Sequence, residues 1–179
     1  MGLFDQLQNV LTQYTSGNSA PQNASEVEAH FSQVAAVAPE GAVAQGLAAA
    51  FRSDQTPAFG QMLGSLFSQS NGDQKAGILN QLLGAAGPGA LAALAGAGGG
   101  GLASLLQGGA TQITPQQAEK ISPEAVQQLA THAEKADPSI VDQASQFYAQ
   151  HSTLIKTLGG AALTLALTHI AQQQSQKQA

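Results

Sequence analysis

The sequence predicts an all-α fold, a multi-helix bundle with a Gly-rich hinge or loop at its centre. Three observations carry that prediction. Apolar residues recur at three- and four-residue spacing along most of the chain. Helix-start chemistry recurs with them, as Thr56-Pro57, Thr114-Pro115, Ser122-Pro123 and Asp137-Pro138. No segment alternates apolar and polar residues as a strand would, β-branched residues are few, and no two such runs flank an Asn-Gly or Asp-Gly turn.

The first element is an amphipathic helix over residues 1–14, with Leu3, Phe4, Leu7, Val10, Leu11 and Tyr14 on one face. Residues 15–24, rich in Ser, Asn, Gly and Pro, read as a linker. A helical region spans 25–86. Ser25 and Glu28 have the spacing of a capping box, and Val27, Phe31, Val34 and Ala38 follow on one stripe. Pro39-Glu40 opens a second helix through Val43, Leu47, Ala50 and Phe51. Thr56-Pro57 opens a third, with the strongest stripe in the chain: Phe59, Met62, Leu63, Leu66 and Phe67. Asn71-Gly72 stops it, and Asp73 is placed to cap a fourth with Ile78, Leu79, Leu82 and Leu83 inward.

Residues 87–110 form a Gly/Ala-rich hinge segment. Gly87-Pro88-Gly89 breaks a helix, and each of the four glycines 98–101 would cost a helix interior about 1 kcal/mol relative to Ala. Leu102, Leu105 and Leu106 resume an apolar stripe that Gly108-Gly109 ends. The C-terminal helical region covers 111–172. Ile113-Thr114-Pro115 and Ile121-Ser122-Pro123 read as the same helix-start chemistry used twice, and stripes follow at Val126, Leu129 and Ala133, then Val141, Ala144, Phe147 and Tyr148. A last helix runs from Ser152 to Gln172 through Leu154, Ile155, Leu158, Leu165 and Ile170, leaving 173–179 as a frayed tail.

Composition narrows the function. Charged residues are only 9%, against about 25% in ordinary soluble domains, and the apolar positions lean on Ala. Small side chains bury little area, so stability depends on close helix approach or on oligomerisation. The net charge of −5 and the single, scattered Arg52, Lys75, Lys120, Lys135, Lys156 and Lys177 argue against nucleic acid, which requires clustered cations. With no Cys, disulfides, thiolate metal sites and cysteine nucleophiles are excluded. Residues 1–5 lack the basic and long apolar regions of a signal peptide, and Gln6 departs from the myristoylation pattern, so an unprocessed cytoplasmic protein is expected.

No catalytic residue, cofactor or metal site is expected. His30, His132, His151 and His169 have no partner His at helical ligand spacing, and Glu28–His30 and His132–Glu134 fall on different helix faces. Glu26, Glu28, Glu40, Glu124 and Asp137 lie near helix starts, where they oppose the helix dipole. Gly60-Gln61-Met62-Leu63-Gly64 has the wrong centre for a nucleophile elbow. The glycine tract ends in Gly101-Leu102-Ala103-Ser104, without the Lys of a phosphate loop or the strand and acidic residue of a dinucleotide fingerprint.

A non-enzymatic helical interaction or structural protein is therefore expected, with a protein partner or self-association. The interaction residues singled out are Leu3, Phe4, Leu7, Val10 and Leu11 on the N-terminal helix, and Phe59 and Phe67 on the helix that Thr56-Pro57 opens, wherever these are exposed. The alternative is membrane association through 76–118, which contains no charged residue, and the apolar helix 154–171. Against a span stand the glycine breaks, which leave backbone groups unbonded in lipid, and the missing aromatic and basic flanks.

The opening Met1-Gly2-Leu3-Phe4-Asp5, with its apolar helix and the later Gly-rich tracts, resembles the start of bacterial YidB-like proteins. The resemblance is confined to that stretch. It implies a small, helical bacterial protein without an assigned activity, and it brings no catalytic residue to transfer.

Overall fold

Helices make up all the regular secondary structure among the described residues. The structure, a computed structural model, describes residues 8–10, 12–14, 23–96 and 112–177. Residues 8–10 and 12–14 are helical. Then follow α1 (Ala24–Val37), α2 (Glu40–Phe51), α3 (Phe59–Gln69), α4 (Gly72–Gly96), α5 (Pro115–Ala118), α6 (Pro123–Ala136), α7 (Ile140–Ala149), α8 (Ser152–Ile155), a 3-10 turn (Lys156–Leu158) and α9 (Gly160–Lys177). The chain folds as two compact units, and the division falls inside α7. One is the continuous stretch Pro57–Ala144; the other is assembled from both ends, Met1–Thr56 and Ser145–Ala179.

In the unit built from both ends, α9 packs along α2 and α1. Val27, Phe31, Val34, Val43, Leu47 and Phe51 face Leu163, Ala166, Leu167 and Ile170 in a core from which water is almost wholly excluded. Burying each of the larger of these side chains contributes about 1.5–3 kcal/mol. The small residues let the helices come close. A Cβ on Gly46 would lie 2.7 Å from the Ala166 carbonyl oxygen and 2.8 Å from Ile170 Cγ1.

In the continuous unit, α6 packs on both α3 and α4, and α4 also packs on α5. The stripe Phe59, Met62, Leu63, Leu66 and Phe67 is buried with Ile78, Leu79, Leu82, Val126, Leu129 and Ala133. Gly60 and Gly64 sit on the same helix one turn apart. A Cβ at Gly60 would lie 2.6 Å from the Gln127 carbonyl oxygen, and one at Gly64 would lie 2.6 Å from Gln127 Cγ. The pentapeptide that fails as a nucleophile elbow is thus a place where α6 lies close against α3.

Helix boundaries depart from the sequence expectation in several places. Helix α1 starts from Asn23, so Ser25 lies inside the first turn and the Ser25–Glu28 capping box does not form. Thr56 does not cap α3: its hydroxyl donates backwards, to the Ala50 carbonyl at 2.6 Å and the Ser53 carbonyl at 2.9 Å, closing the end of α2, and α3 starts from Ala58. Asn71 rather than Asp73 caps α4. Its Oδ1 accepts from the Gln74 N–H at 2.9 Å, while its own N–H donates to Gln74 Oε1 at 3.0 Å, a reciprocal pair that satisfies two backbone donors. The expected last helix is broken at Gly159, whose φ of 86° and ψ of 161° suit only glycine. The break resets the helical phase, so Ala162, Leu163, Ala166, Leu167 and Ile170 face inward while Leu154, Leu158 and Leu165 are half-buried. Finally, α9 runs on to Lys177, past the expected end at Gln172. Gln is a good helix former, Ser175 donates to the Ala171 carbonyl, and Gln173 donates to Gln45 of α2.

The Thr114-Pro115 and Ser122-Pro123 starts are as read, whereas Asp137 ends α6 and serves the turn before α7, which starts at Ile140 rather than at Pro138. Thr114 donates its N–H to Gln117 Oε1 at 3.0 Å, Ser122 Oγ accepts from Ala125 N–H at 3.3 Å, and Asp137 Oδ1 accepts from Ser139 N–H at 3.0 Å. Residue Gly87, φ 67° and ψ −178°, interrupts α4, so the helix is two segments joined at a kink. Residues 97–111, with the four-glycine run and Leu102, Leu105 and Leu106, lie outside the described residues.

Candidate interaction surface

Of the residues singled out from the sequence, Leu3, Phe4, Leu7 and Leu11 lie outside the described residues. Val10 is buried at 9% exposure, and Tyr14, one turn further along the same stripe, at 6%. Phe59 and Phe67 are buried at 2% and 0%. Both phenylalanines therefore belong to the core of the continuous unit and present no outer surface. Lys75 Nζ lies 5.3 Å from the centre of the Phe67 ring, a cation–π contact from the neighbouring helix α4.

The Tyr14 contact is the best-defined feature of the N-terminal helix. Its hydroxyl is hydrogen-bonded to His30 Nδ1 at 3.1 Å, and the two rings meet edge-on at 90° with centres 6.0 Å apart. Glu26 and His30 are four residues apart on α1 and so share a face. Burial pushes the Tyr14 hydroxyl up from 10.0 to about 12, and the Glu26 carboxylate adds to the rise by opposing a second negative charge. One face of α1 thus seats the N-terminal helix through an aromatic ring and a polar tip. His30 reads as a surface histidine from sequence alone. Its Glu26 neighbour at helical spacing was visible, but its partner sixteen residues upstream was not.

A second feature closes the base of the charge-free segment. Asn80, on α4, donates from Nδ2 to the Ile113 carbonyl at 3.2 Å and accepts the Ile113 N–H through Oδ1 at 2.7 Å. Ile113 is buried at 4% exposure. One amide thereby takes the place of a backbone partner and joins two points of the chain thirty-three residues apart. Beside it, Gln81 Oε1 is buried without a hydrogen-bond partner among the described residues.

The remaining ionisable residues are spread along the described residues. No group of three or more His, Asp or Glu is placed to hold a metal ion there. His132 is exposed, and His151 stacks on Phe147 at 5.0 Å with Nδ1 2.9 Å from the Phe147 carbonyl oxygen. Glu26, Glu40, Asp73, Glu124 and Asp142 each lie in the first turn of a helix, where a negative charge meets the positive end of the dipole. No helix among the described residues is long and apolar enough to cross a membrane. The apolar side chains of 154–171 that face inward, led by Leu163, Leu167 and Ile170, are buried within their unit.

Comparison of the chain with protein-family models, curated proteins and solved structures found no match.

Proposed function

We propose that the chain is a non-enzymatic helical interaction protein whose recognition element is the N-terminal amphipathic helix. The observation that carries this reading is the seating of Tyr14 against His30 on α1. Among the described residues of that helix only Val10 and Tyr14 are buried, and a Ser/Asn/Gly/Pro-rich tether links it to α1. The stripe continues to Leu7, Phe4 and Leu3, which supply the i, i+3, i+4, i+7 pattern that an amphipathic helix lays into an apolar groove. Its polar side carries Asp5 and no Lys or Arg, so a protein groove suits it better than an anionic lipid surface. The YidB-like opening residues favour a bacterial setting.

A photo-crosslinking residue in place of Leu7 in the full chain, expressed in cells, tests the reading. The expected product is an adduct with another polypeptide that disappears when Leu3 and Phe4 are changed to Ser. Adducts confined to the chain itself would count against it. Adducts with lipid would favour the second reading, membrane contact through 76–118 and 154–171, which rests on the complete absence of charge in 76–118.

A further inference from the structure

We propose that Asn71-Gly72 is a self-modifying site, at which the folded chain converts Asn71 to isoaspartate at a rate set by the cap of α4.

The pair holds side by side the groups that the reaction joins. The side-chain amide carbon of an asparagine, Cγ, is open to attack by the main-chain nitrogen of the next residue, and a glycine there puts no Cβ in the way. Gly72 is the first residue of α4, so its N–H has no acceptor within the helix to hold its proton. Asn71 is exposed, so water and hydroxide reach it. The Gly72 nitrogen bonds to Asn71 Cγ, the Cγ–Nδ2 bond breaks, and ammonia leaves with the proton, closing a succinimide ring. Water then opens the ring. Addition at Cγ gives aspartate. Addition at the Asn71 main-chain carbonyl carbon gives isoaspartate, in which the main chain runs through the former side chain and a free carboxylate hangs from Cα. Water is the only co-reactant.

The cap controls the first step. Asn71 Oδ1 accepts from the Gln74 N–H at 2.9 Å, and the Asn71 N–H donates to Gln74 Oε1 at 3.0 Å. Ring closure must swing Cγ onto the Gly72 nitrogen, which takes Oδ1 off the Gln74 N–H. The reactive form is therefore the uncapped one, and its population follows the strength of the reciprocal pair. The product then undoes the structure that slows its formation. Isoaspartate adds a main-chain carbon ahead of Gly72 and moves its carboxylate away from the capping position. A Cβ on Gly72 would already lie 3.2 Å from Glu119 Oε1 and 3.3 Å from Pro115 Cβ. The lengthened chain therefore presses on α5 and sets a new negative charge beside Glu119. The aspartate product, by contrast, keeps the acceptor and leaves the helix start closed.

Peptide mass spectrometry of the full chain, held folded in mildly alkaline buffer, tests this, with protein isoaspartyl methyltransferase as the probe for the isoaspartyl link. Isoaspartate is expected at residue 71, forming more slowly than in the same chain unfolded in urea. Gln74→Ala removes one bond of the pair and should raise the folded rate roughly two- to tenfold, the worth of one hydrogen bond, while leaving the rate in urea unchanged. A folded chain without product when the unfolded chain has converted completely overturns the proposal. So does a folded rate equal to the unfolded one, or one that Gln74→Ala does not move. If Gln74→Ala loses its helical circular dichroism, the ratio of folded to unfolded rates in the unaltered chain decides alone.

Discussion

Asn80 and Ile113 are joined by two hydrogen bonds, one to the Ile113 carbonyl at 3.2 Å and one from its N–H at 2.7 Å. A single side-chain amide thus satisfies both backbone groups of a residue buried at 4% exposure. Asn80→Ala leaves both groups without their partner, at about 1–3 kcal/mol each if water stays excluded. Asn80→Asp is expected to cost as much, because the ionised side chain has no donor and turns an oxygen toward the Ile113 carbonyl. Urea denaturation reads the loss, and faster hydrogen exchange at the Ile113 amide locates it.

Glycines on the two sides of one unit should respond to alanine with opposite signs. At Gly60 the new methyl meets the Gln127 carbonyl oxygen at 2.6 Å, a backbone atom that cannot step aside. Overpacking of this kind costs about 1–3 kcal/mol, more than the roughly 1 kcal/mol of helix propensity that alanine adds. Gly84, on α4, has nothing within 4 Å of the corresponding position. Gly84→Ala should therefore stabilise by up to about 1 kcal/mol. Paired denaturation midpoints check both signs.

Gly159→Ala is expected to destabilise for a different reason. Nothing lies within 4 Å of its Cβ position, but φ is 86°. An L-residue held there costs about 1–3 kcal/mol. If Gly159→Ala leaves the thermal midpoint unchanged, the break between α8 and α9 is not enforced by its surroundings.

Alkali should release Tyr14. Its hydroxyl is raised from 10.0 to about 12, so the folded state binds this proton more tightly than the unfolded chain. Its contribution is complete below pH 10.0 and falls away as pH rises toward about 12. In a Tyr148→Phe background, tyrosinate absorbance should titrate with the raised value, and His30→Ala should leave most of the rise, because desolvation is its main cause. A midpoint near 10.0 would mean that the ring is open to water.

The cap of α4 offers a local measure. Asn71→Ala removes the acceptor for the Gln74 N–H at 2.9 Å and should cost about 0.5–2 kcal/mol. Asn71→Asp keeps the acceptor and adds a charge favourable to the helix dipole, so its stability should equal or exceed that of the unaltered chain.

The helical class was legible because periodicity is a property of neighbours in sequence. Leu129 and Val126 show their face without knowledge of what covers it. Helix starts were legible where the cap was followed by proline in a suitable frame, as at Ser122-Pro123. They were misread where two residues of capping type stood close together. Asn23 and Ser25 compete for α1, Asn71 and Asp73 for α4, and composition does not rank them. Thr56 was misread because a hydroxyl at a helix junction serves either side, and here the α2 carbonyls are nearer. Gly159-Gly160 carried a visible sign of the break in the last helix, but the apolar run across it suggested continuity. The candidate surface was the least legible part. Tyr14–His30 and Asn80–Ile113 are pairings across sixteen and thirty-three residues, and local patterns name the members of such pairs without naming their partners. The same gap places Phe59 and Phe67 in the core: an apolar stripe looks alike whether a neighbouring helix or a separate partner covers it.

The division of the chain sets an order of events during synthesis. The unit Pro57–Ala144 is one uninterrupted stretch, and its helices can close on each other as soon as they leave the ribosome. Helices α1 and α2 emerge before it, yet α9, which covers them, is made after it. With α9 absent, Val43, Leu47 and Phe51 lack the side chains that bury them in the finished molecule. Translation at roughly 5–20 residues per second leaves the N-terminal pair without α9 for several seconds, while the middle of the protein is already complete. The nascent chain is thus most vulnerable at α1 and α2, and a chaperone that binds exposed apolar segments is expected to hold it there.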